Sequence, residues 1–236
     1  DITTVCIGPA LRRLGVTEVD VLILSHPDLD HYSGSPELID GFGVKRLVVT
    51  PRFADKADAS PYGGARHLFD FARQRGVAIE VATAGWERGW GEVELSLLWP
   101  PEDAAFRHDN DHSAMLAIEA AGRRVLLCGD VQQDAITAML DRGLDLAADV
   151  TDLPHHGSFV DASPAWIARV EPWIVLQSSG RARLRRDEWA PHLVSVERYI
   201  TARHGMVTLV VRRDGRIEAG SFRGEPAASG PSNLQD

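Results

Sequence analysis

Short apolar runs alternate with amphipathic stretches along the chain, and this alternation limits the folds that it can adopt. The apolar runs have the length and β-branched content of buried strands. They cover residues 19–25, 45–50, 93–99, 114–119, 124–128 and 173–177. The amphipathic stretches predict helices, most of which end at or near a glycine. These cover residues 35–41, 63–76, 131–143, 165–170 and 193–204.

Two further strands are predicted at the end of this pattern, over residues 206–212 and 216–222. They flank Arg213-Asp214-Gly215, in which the Asp-Gly pair predicts a hairpin turn. Strands that alternate with helices, with antiparallel pairs in the middle and at the end, indicate α/β layers rather than a purely parallel sheet.

Composition excludes several classes of protein. The chain has 236 residues, 44% of them hydrophobic, and no apolar run long enough to span a membrane, so this piece is expected to be soluble. Cys6 and Cys128 are too few for a disulfide framework or a cysteine-rich zinc site. The net charge of −9 argues against a generally basic nucleic-acid-binding surface, although a local basic patch or bound cations could still meet phosphates. We expect one domain over residues 1–223 and a flexible tail over 224–236.

Four candidate metal ligands follow the first predicted strand: His26, Asp28, Asp30 and His31. Imidazoles and carboxylates suit divalent cations. On an extended segment His26, Asp28 and Asp30 can face one way while His31 turns to the other side, so the loop could serve two ions. Helix capping, the alternative, needs one aspartate rather than two between two histidines.

Two more strand ends carry candidate ligands. Asp130 follows Gly129 after the strand predicted at 124–128, where it could also be the N-cap of the next helix. His155 and His156 precede Gly157 and follow the apolar Val150. Because ligands gather beyond the carboxyl ends of strands in α/β proteins, three such ends favour one functional rim.

Taken together, these motifs resemble the metallo-β-lactamase superfamily. The resemblance rests on three motifs: His26-x-Asp28-x-Asp30-His31, Gly129-Asp130 and His155-His156-Gly157-Ser158. Within the superfamily they are most similar to the C-terminal domain of ComEC-type DNA-uptake (competence) proteins, as is the stretch over 109–116. The resemblance covers residues 11 to 220 and implies a four-layer αββα sandwich. The superfamily begins with two or three strands ahead of the His26 loop; either these N-terminal strands are missing from this chain, or its sheet is completed differently.

The resemblance also implies a role for each matching residue. His26 and Asp28 would hold one metal ion, Asp30 and His31 a second, and Asp130 would bridge both. Asp30 and Asp130 would also be catalytic, orienting the attacking water. Asp28 stands where the superfamily has histidine, and because a carboxylate is a harder ligand, Mn²⁺ should compete better here, with Zn²⁺ as the alternative.

Four further histidines are candidate ligands by the same resemblance. His155 or His156 would complete the second ion, with His155 slightly favoured, although adjacency alone does not separate them. The remaining superfamily histidine lies just before the strand that precedes Gly-Asp, which makes His108 and His112 candidates. ComEC-type relatives often lack that ligand.

Substrate-binding candidates lie at the end of the third motif and after it. They are Ser158, Arg183, Arg185 and His192. The arginine run over residues 181–186 favours phosphate contact, and Trp189 beside it is a candidate base-stacking platform. His192 could equally start a helix.

These inferences lead to a metal-dependent hydrolase with two divalent ions and no small-molecule cofactor. On the branch resemblance it is a DNA nuclease that favours single-stranded DNA and serves DNA uptake in transformation. Its parent would be an inner-membrane protein with a transmembrane channel domain, and this domain would lie on the extracytoplasmic side. The alternatives are a hydrolase of a small ester or phosphodiester, and a catalytically degraded DNA-binding or channel module.

Overall fold

A computed structural model of the chain describes residues 3–224, which form two compact units. Of the described residues, unit 1 comprises 3–86 and Leu98–Ala114, and unit 2 comprises Glu87–Leu97 and 115–224. Apart from Gly224, the predicted tail lies outside the described residues. Among the helices of the described part, none has both the length and the apolar character needed to cross a membrane.

Unit 1 is built on a small parallel sheet in the order β1-β2-β3. Its strands are β1 (Leu22–Leu24), β2 (Arg46–Val49) and β3 (Ala78–Val81). Its α-helices are α1 (Gly8–Arg13), α2 (Leu29–Tyr32), α3 (Ser35–Phe42), α4 (Pro51–Ala59) and α5 (Gly64–Gln74). A π-helical turn at Thr3–Ile7 and a 3-10 turn at Asp109–His112 complete it. The described residues before β1 contain no strand.

The core of unit 1 fixes the end of β1. Leu24 is buried in one cluster with Leu47, Phe53 and Phe69, and the rings of Phe53 and Phe69 stack with centroids 5.8 Å apart. Tyr32, the last residue of α2, packs edge-on against Phe53 at 5.3 Å. Both ends of the His26 loop are therefore anchored in apolar packing.

Unit 2 is built on a seven-stranded sheet in the order β10-β9-β8-β7-β6-β5-β4. The strands of this sheet are β4 (Glu87–Trp90), β5 (Val93–Trp99, of which Leu98 and Trp99 are counted in unit 1), β6 (Met115–Ala120), β7 (Arg123–Leu127), β8 (Val150–Asp152), β9 (Ile174–Gln177) and β10 (Glu197–Ile200). Its helices are α6 (Gln133–Asp141), α7 (Pro154–Gly157), α8 (Ser163–Val170) and α9 (Thr201–His204), with 3-10 turns at Arg181–Arg185 and Ala190–His192. A separate hairpin pairs β11 (Val207–Val211) with β12 (Ile217–Ser221).

Strand direction in this sheet sets the position of the site. The pairs β4–β5 and β6–β7 are antiparallel, whereas β7, β8, β9 and β10 are parallel to one another. The carboxyl ends of β7, β8 and β9 therefore meet at one edge, where ligands gather in α/β sheets. The mixture of parallel and antiparallel pairs confirms the predicted sheet type.

Most predicted elements are present, with bounds that shift by a few residues. The hairpin turn is also confirmed: Arg212 donates its backbone N–H to the carbonyl of Arg216 at 2.8 Å, and Gly215 adopts φ +80°. The helix predicted over 193–204 is wrong. Arg198, Tyr199 and Ile200 pair in parallel with β9, and only the last turn, α9, is helical. Sheet pairing and the burial of Tyr199 and Ile200 outweigh the helical spacing of apolar residues.

Candidate metal centre

The first group of candidate ligands lies in unit 1, directly after β1, and is called the loop ligand set: His26, Asp28, Asp30 and His31. Asp28 is extended and occupies the N-cap position of α2, but its side chain makes no capping hydrogen bond. The chain becomes helical at Leu29, so Asp30 does not continue an extended segment. The expected alternation of faces is therefore wrong: the rings of His26 and His31 lie side by side, with centroids 4.2 Å apart.

Within the loop ligand set each imidazole faces a carboxylate. His26 Nε2 lies 3.5 Å from Asp28 Oδ2, and His31 Nε2 lies 3.8 Å from Asp30 Oδ2. Ligand atoms held tetrahedrally at roughly 2.1 Å from a zinc-like ion are about 3.4 Å apart. The donor types and spacings therefore fit divalent cations.

The second group lies in unit 2 and is called the acid–histidine ligand set: Asp130, His155 and His156. Asp130 is buried and is not a helix cap, because α6 begins at Gln133 and its N-cap is Gln132. Asp130 Oδ2 lies 3.5 Å from His156 Nε2 and 3.9 Å from His155 Nε2. The ends of β7 and β8 thus bring one carboxylate and two imidazoles together, as the sequence predicts.

The backbone of the two histidines is left-handed. His155 has φ 46° and His156 has φ 57°, a conformation that costs a residue with a Cβ roughly 1–2 kcal/mol. His155 is held by its N–H, which donates to the carbonyl of Gly129 at 3.0 Å, and by Gln132 Nε2, which donates to its Nδ1 at 2.8 Å. His156 donates from Nδ1 to the carbonyl of Ser178 at 3.1 Å. The two rings therefore have different proton arrangements.

A second layer of side chains, the Gly157 brace, holds this turn: Gln177, Asp187, Trp189 and Arg198. Trp189 Nε1 donates to the Gly157 carbonyl at 3.0 Å. Arg198 is buried and donates to both carboxylate oxygens of Asp187 and to Gln177 Oε1. Trp189 is only 2% exposed, so its prediction as a base-stacking platform is wrong; the indole is a structural donor.

Asp152 was not predicted as a site residue, although it ends β8. Its Oδ1 accepts the backbone N–H of Cys128 at 2.6 Å. Burial raises the pKa of Asp152 to about 6, against the lowering effect of that hydrogen bond. Cys128 is fully buried, and burial raises the pKa of its thiol. The only sequence signal for Asp152 was its place at a strand end before the His-His motif.

The two remaining histidine candidates sit in unit 1. His112 is buried, and its Nε2 meets the backbone N–H and carbonyl of Phe106 at 3.2 and 3.1 Å. Its ring also packs edge-on against Phe106. His108 is exposed at the start of the 3-10 turn. These contacts give His112 a structural role.

The substrate-binding candidates lie beside the acid–histidine ligand set in unit 2. Arg183 and Arg185 are exposed on the 3-10 turn Arg181–Arg185, and Arg183 donates to Ser158 Oγ at 2.8 Å. His192 ends the turn Ala190–His192 rather than starting a helix, and it stacks on Phe159 at 5.4 Å. An open cleft of ≈ 580 Å³ is lined by His156, Ser178, Ser179, Gly180, Arg183, Thr201 and Ala202.

Comparison with known proteins identifies the family. The family model for the metallo-β-lactamase superfamily matches residues 4–176. ComE operon protein 3 of Bacillus subtilis is 26% identical over 212 residues, which are 89% of this chain and 26% of that protein. Competence protein ComA of Neisseria gonorrhoeae is 29% identical over 221 residues, 92% of this chain and 28% of that protein. The chain thus spans about a quarter of the length of these relatives.

Among solved structures, the metallo-β-lactamase fold protein YhfI from Bacillus subtilis aligns with 91% of this chain and 83% of its own, at 12% identity and a TM-score of 0.48. The family match extends over most of the chain and includes the loop ligand set, Asp130, His155 and His156. The predicted fold class and the predicted likeness to competence proteins are confirmed. The chain belongs to the metallo-β-lactamase superfamily of metal-dependent hydrolases and has its α/β fold.

Proposed function

We propose that this chain is a metal-dependent nuclease domain that hydrolyses DNA phosphodiesters, with single-stranded DNA favoured, in a DNA-uptake protein. One observation carries the proposal: His156, a member of the acid–histidine ligand set, and Arg183, an exposed cation, line the same cleft in unit 2. A phosphodiester in this cleft would meet a candidate metal ligand and a guanidinium at once. The similarity to competence proteins supports DNA as the substrate.

The ions are proposed to be held by the loop ligand set and by Asp130 with His156. The hydrogen bonds favour His156 over His155. His156 donates its Nδ1 proton to a carbonyl, the arrangement that leaves Nε2 of a neutral imidazole as a ligand, whereas His155 accepts at Nδ1 and so carries its proton on Nε2. Divalent ions, with Mn²⁺ favoured, would lower the pKa of water and stabilise charge on phosphorus.

Asp30 and Asp130 are the proposed catalytic carboxylates. Asp130 is buried, so its charge acts with little screening by water, and Asp30 is exposed at the start of α2. Their role is to hold the ions and to orient the attacking water, so the loss of either carboxylate should lower the rate. His108 and His112 are left out of this proposed ligand set.

DNA binding is proposed to depend on the arginines of the 3-10 turn Arg181–Arg185 and on Ser158. Phosphate contacts position a strand without reading its sequence. The bond from Arg183 to Ser158 Oγ places this cation next to the His-His turn despite the net charge of −9. His192, which stacks on Phe159, is an additional proposed contact.

The chain is further proposed to be one domain of a longer inner-membrane protein with a transmembrane channel, on the extracytoplasmic side. Support comes from its coverage of about a quarter of each competence relative.

The decisive experiment incubates the protein with end-labelled single- and double-stranded DNA in Mn²⁺, Mg²⁺, Zn²⁺ or chelator. The wild type should cut single-stranded DNA in Mn²⁺ and not in chelator. Asp130→Ala should lower the rate by about 10²–10³ or more, because electrostatic stabilisation at the reacting centre is lost. Asp134→Ala, which removes an exposed carboxylate from the first turn of α6, is the control and should leave the rate unchanged. Intact DNA in every metal would instead favour a DNA-binding module.

A paired substitution tests the DNA-binding part. Arg183→Ala should weaken binding and reduce the slope of log K against log salt by about 1, with the rate of the chemical step unchanged. Arg213→Ala removes the same charge from the exposed β11–β12 turn and should change neither. If both substitutions weakened binding equally, the arginine turn would contribute only to the overall charge and would not be a specific DNA contact.

A further inference from the structure

A single hydroxyl contacts both histidines of the loop ligand set. Ser25 Oγ lies 3.1 Å from His26 Nδ1 and 3.0 Å from His31 Nδ1. Both rings therefore turn the same nitrogen towards Ser25. Their Nε2 atoms lie on the side of Asp28 and Asp30, respectively.

The position of this hydroxyl is fixed by backbone pairing. Ser25 directly follows β1, and its carbonyl accepts the N–H of Ala114 at 2.8 Å. The side chain of His26 is 1% exposed and that of His31 is 16% exposed, so neither ring has much room to turn. One anchored side chain thus orients a ligand from the strand end and a ligand from the helical turn.

The proton positions on the two imidazoles determine which hydrogen bonds the Ser25 hydroxyl can accept. A neutral imidazole that ligates through Nε2 must carry its proton on Nδ1. A serine oxygen has two lone pairs and can accept two such N–H bonds while its own hydrogen points elsewhere. We propose that Ser25 is a positioning residue that keeps His26 and His31 in the Nδ1–H form and so presents both Nε2 atoms as ligands. This inference rests on the metal dependence of the proposed function.

Removal of the hydroxyl would favour the opposite tautomer. Without Ser25 Oγ, the Nδ1 proton of the buried His26 ring would lose the acceptor that this hydroxyl supplies. The proton could move to Nε2, where the Asp28 carboxylate is 3.5 Å away, and it would then compete with the metal. Mutation of a group that hydrogen-bonds the non-ligating nitrogen of a metal-binding histidine typically lowers metal affinity by about 10–100-fold.

The test compares wild type, Ser25→Ala, Ser25→Thr and Ser60→Ala by calorimetry with Zn²⁺ and Mn²⁺. Ser25→Ala should lose about 10–100-fold in affinity. Ser25→Thr keeps the hydroxyl and should restore it. Ser60→Ala removes a hydroxyl at the end of α4 and should bind as the wild type does. Unfolding of the metal-free variants separates a ligand effect from a failure to fold.

Proton NMR of the zinc-loaded protein gives a second readout that needs no DNA cleavage. Slowly exchanging Nδ1–H resonances of both His26 and His31 are expected in the wild type and in Ser25→Thr, and loss of their protection in Ser25→Ala. Unchanged affinity and protected resonances in Ser25→Ala would overturn the inference while leaving the nuclease proposal standing. A wild type that binds no metal at all would overturn both.

Discussion

The buried indole of Trp189 donates its Nε1 proton to the carbonyl of Gly157, 32 residues earlier in the chain, at 3.0 Å. This bond ties the arginine-bearing segment of unit 2 to the turn that carries His155 and His156. Because three consecutive residues of that turn have positive φ, the turn depends on partners outside itself. The Gly157 brace supplies them.

Trp189→Phe should therefore destabilise the protein by about 1–3 kcal/mol in addition to the cost of the smaller side chain, because the buried carbonyl of Gly157 loses this donor. Trp166→Phe is a matched control. Trp166 is equally buried, and among the described residues its Nε1 has no hydrogen-bond partner. Urea unfolding of both variants in chelator measures the difference. Equal destabilisation would mean that the Trp189 hydrogen bond contributes nothing.

Gly157→Ala should be more damaging than an ordinary glycine substitution. Gly157 has φ +80°, and a Cβ there would lie 2.5 Å from Gln177 Nε2, which the brace holds in place. Gly143 has φ +64° with nothing within 4 Å, so Gly143→Ala carries only the backbone strain, roughly 1–2 kcal/mol. Gly157→Ala adds overpacking of about 1–3 kcal/mol. Thermal unfolding of the pair tests this order, and a smaller loss for Gly157→Ala would contradict it.

The sequence predicted the parts of this molecule that follow from local pattern. Strand-sized apolar runs, the Asp-Gly hairpin and the clusters of His and Asp at strand ends are all visible in the order of residues. The Gly157 brace is not visible, because it joins residues 157, 177, 187, 189 and 198, which meet only through tertiary contacts, among them the parallel pairing of β9 with β10. The same pairing replaced the helix predicted over 193–204.

Tautomers also depend on tertiary contacts. His155 and His156 are adjacent and chemically identical in sequence, and only their Nδ1 partners, Gln132 and Ser178, distinguish them. Trp189 was predicted as a base-stacking platform beside the arginines, yet it is buried and its indole donates to the His-His turn. Sequence reasoning therefore found the candidate ligands and missed what orients them.

The contribution of Asp152 to the stability of the metal-free protein should fall as pH rises from about 4 to about 6. Asp152 has a pKa of about 6 in the folded state and 3.8 as the reference value, so between these values the folded state binds more protons. Its contribution is fully present below the lower value and is lost above the higher one, up to about 3 kcal/mol. In Asp152→Asn this contribution is absent. As pH rises over this range, the unfolding free energy of metal-stripped Asp152→Asn should increase relative to that of the metal-stripped wild type. A difference that does not change with pH would refute the assignment.

The choice of metal should depend on Asp28. This carboxylate is 44% exposed, lies 3.5 Å from His26 Nε2 and makes no capping hydrogen bond. Its replacement therefore removes no capping interaction from α2. Carboxylates suit Mn²⁺ and imidazoles suit Zn²⁺. Asp28→His should therefore shift the ratio of affinities towards Zn²⁺ by about tenfold or more, whereas Asp28→Asn should weaken both metals. Asp20→Asn, which removes an exposed carboxylate paired with Lys45, controls for net charge. Calorimetry with each metal gives the ratios, and an unchanged ratio in Asp28→His would remove Asp28 from the proposed ligands.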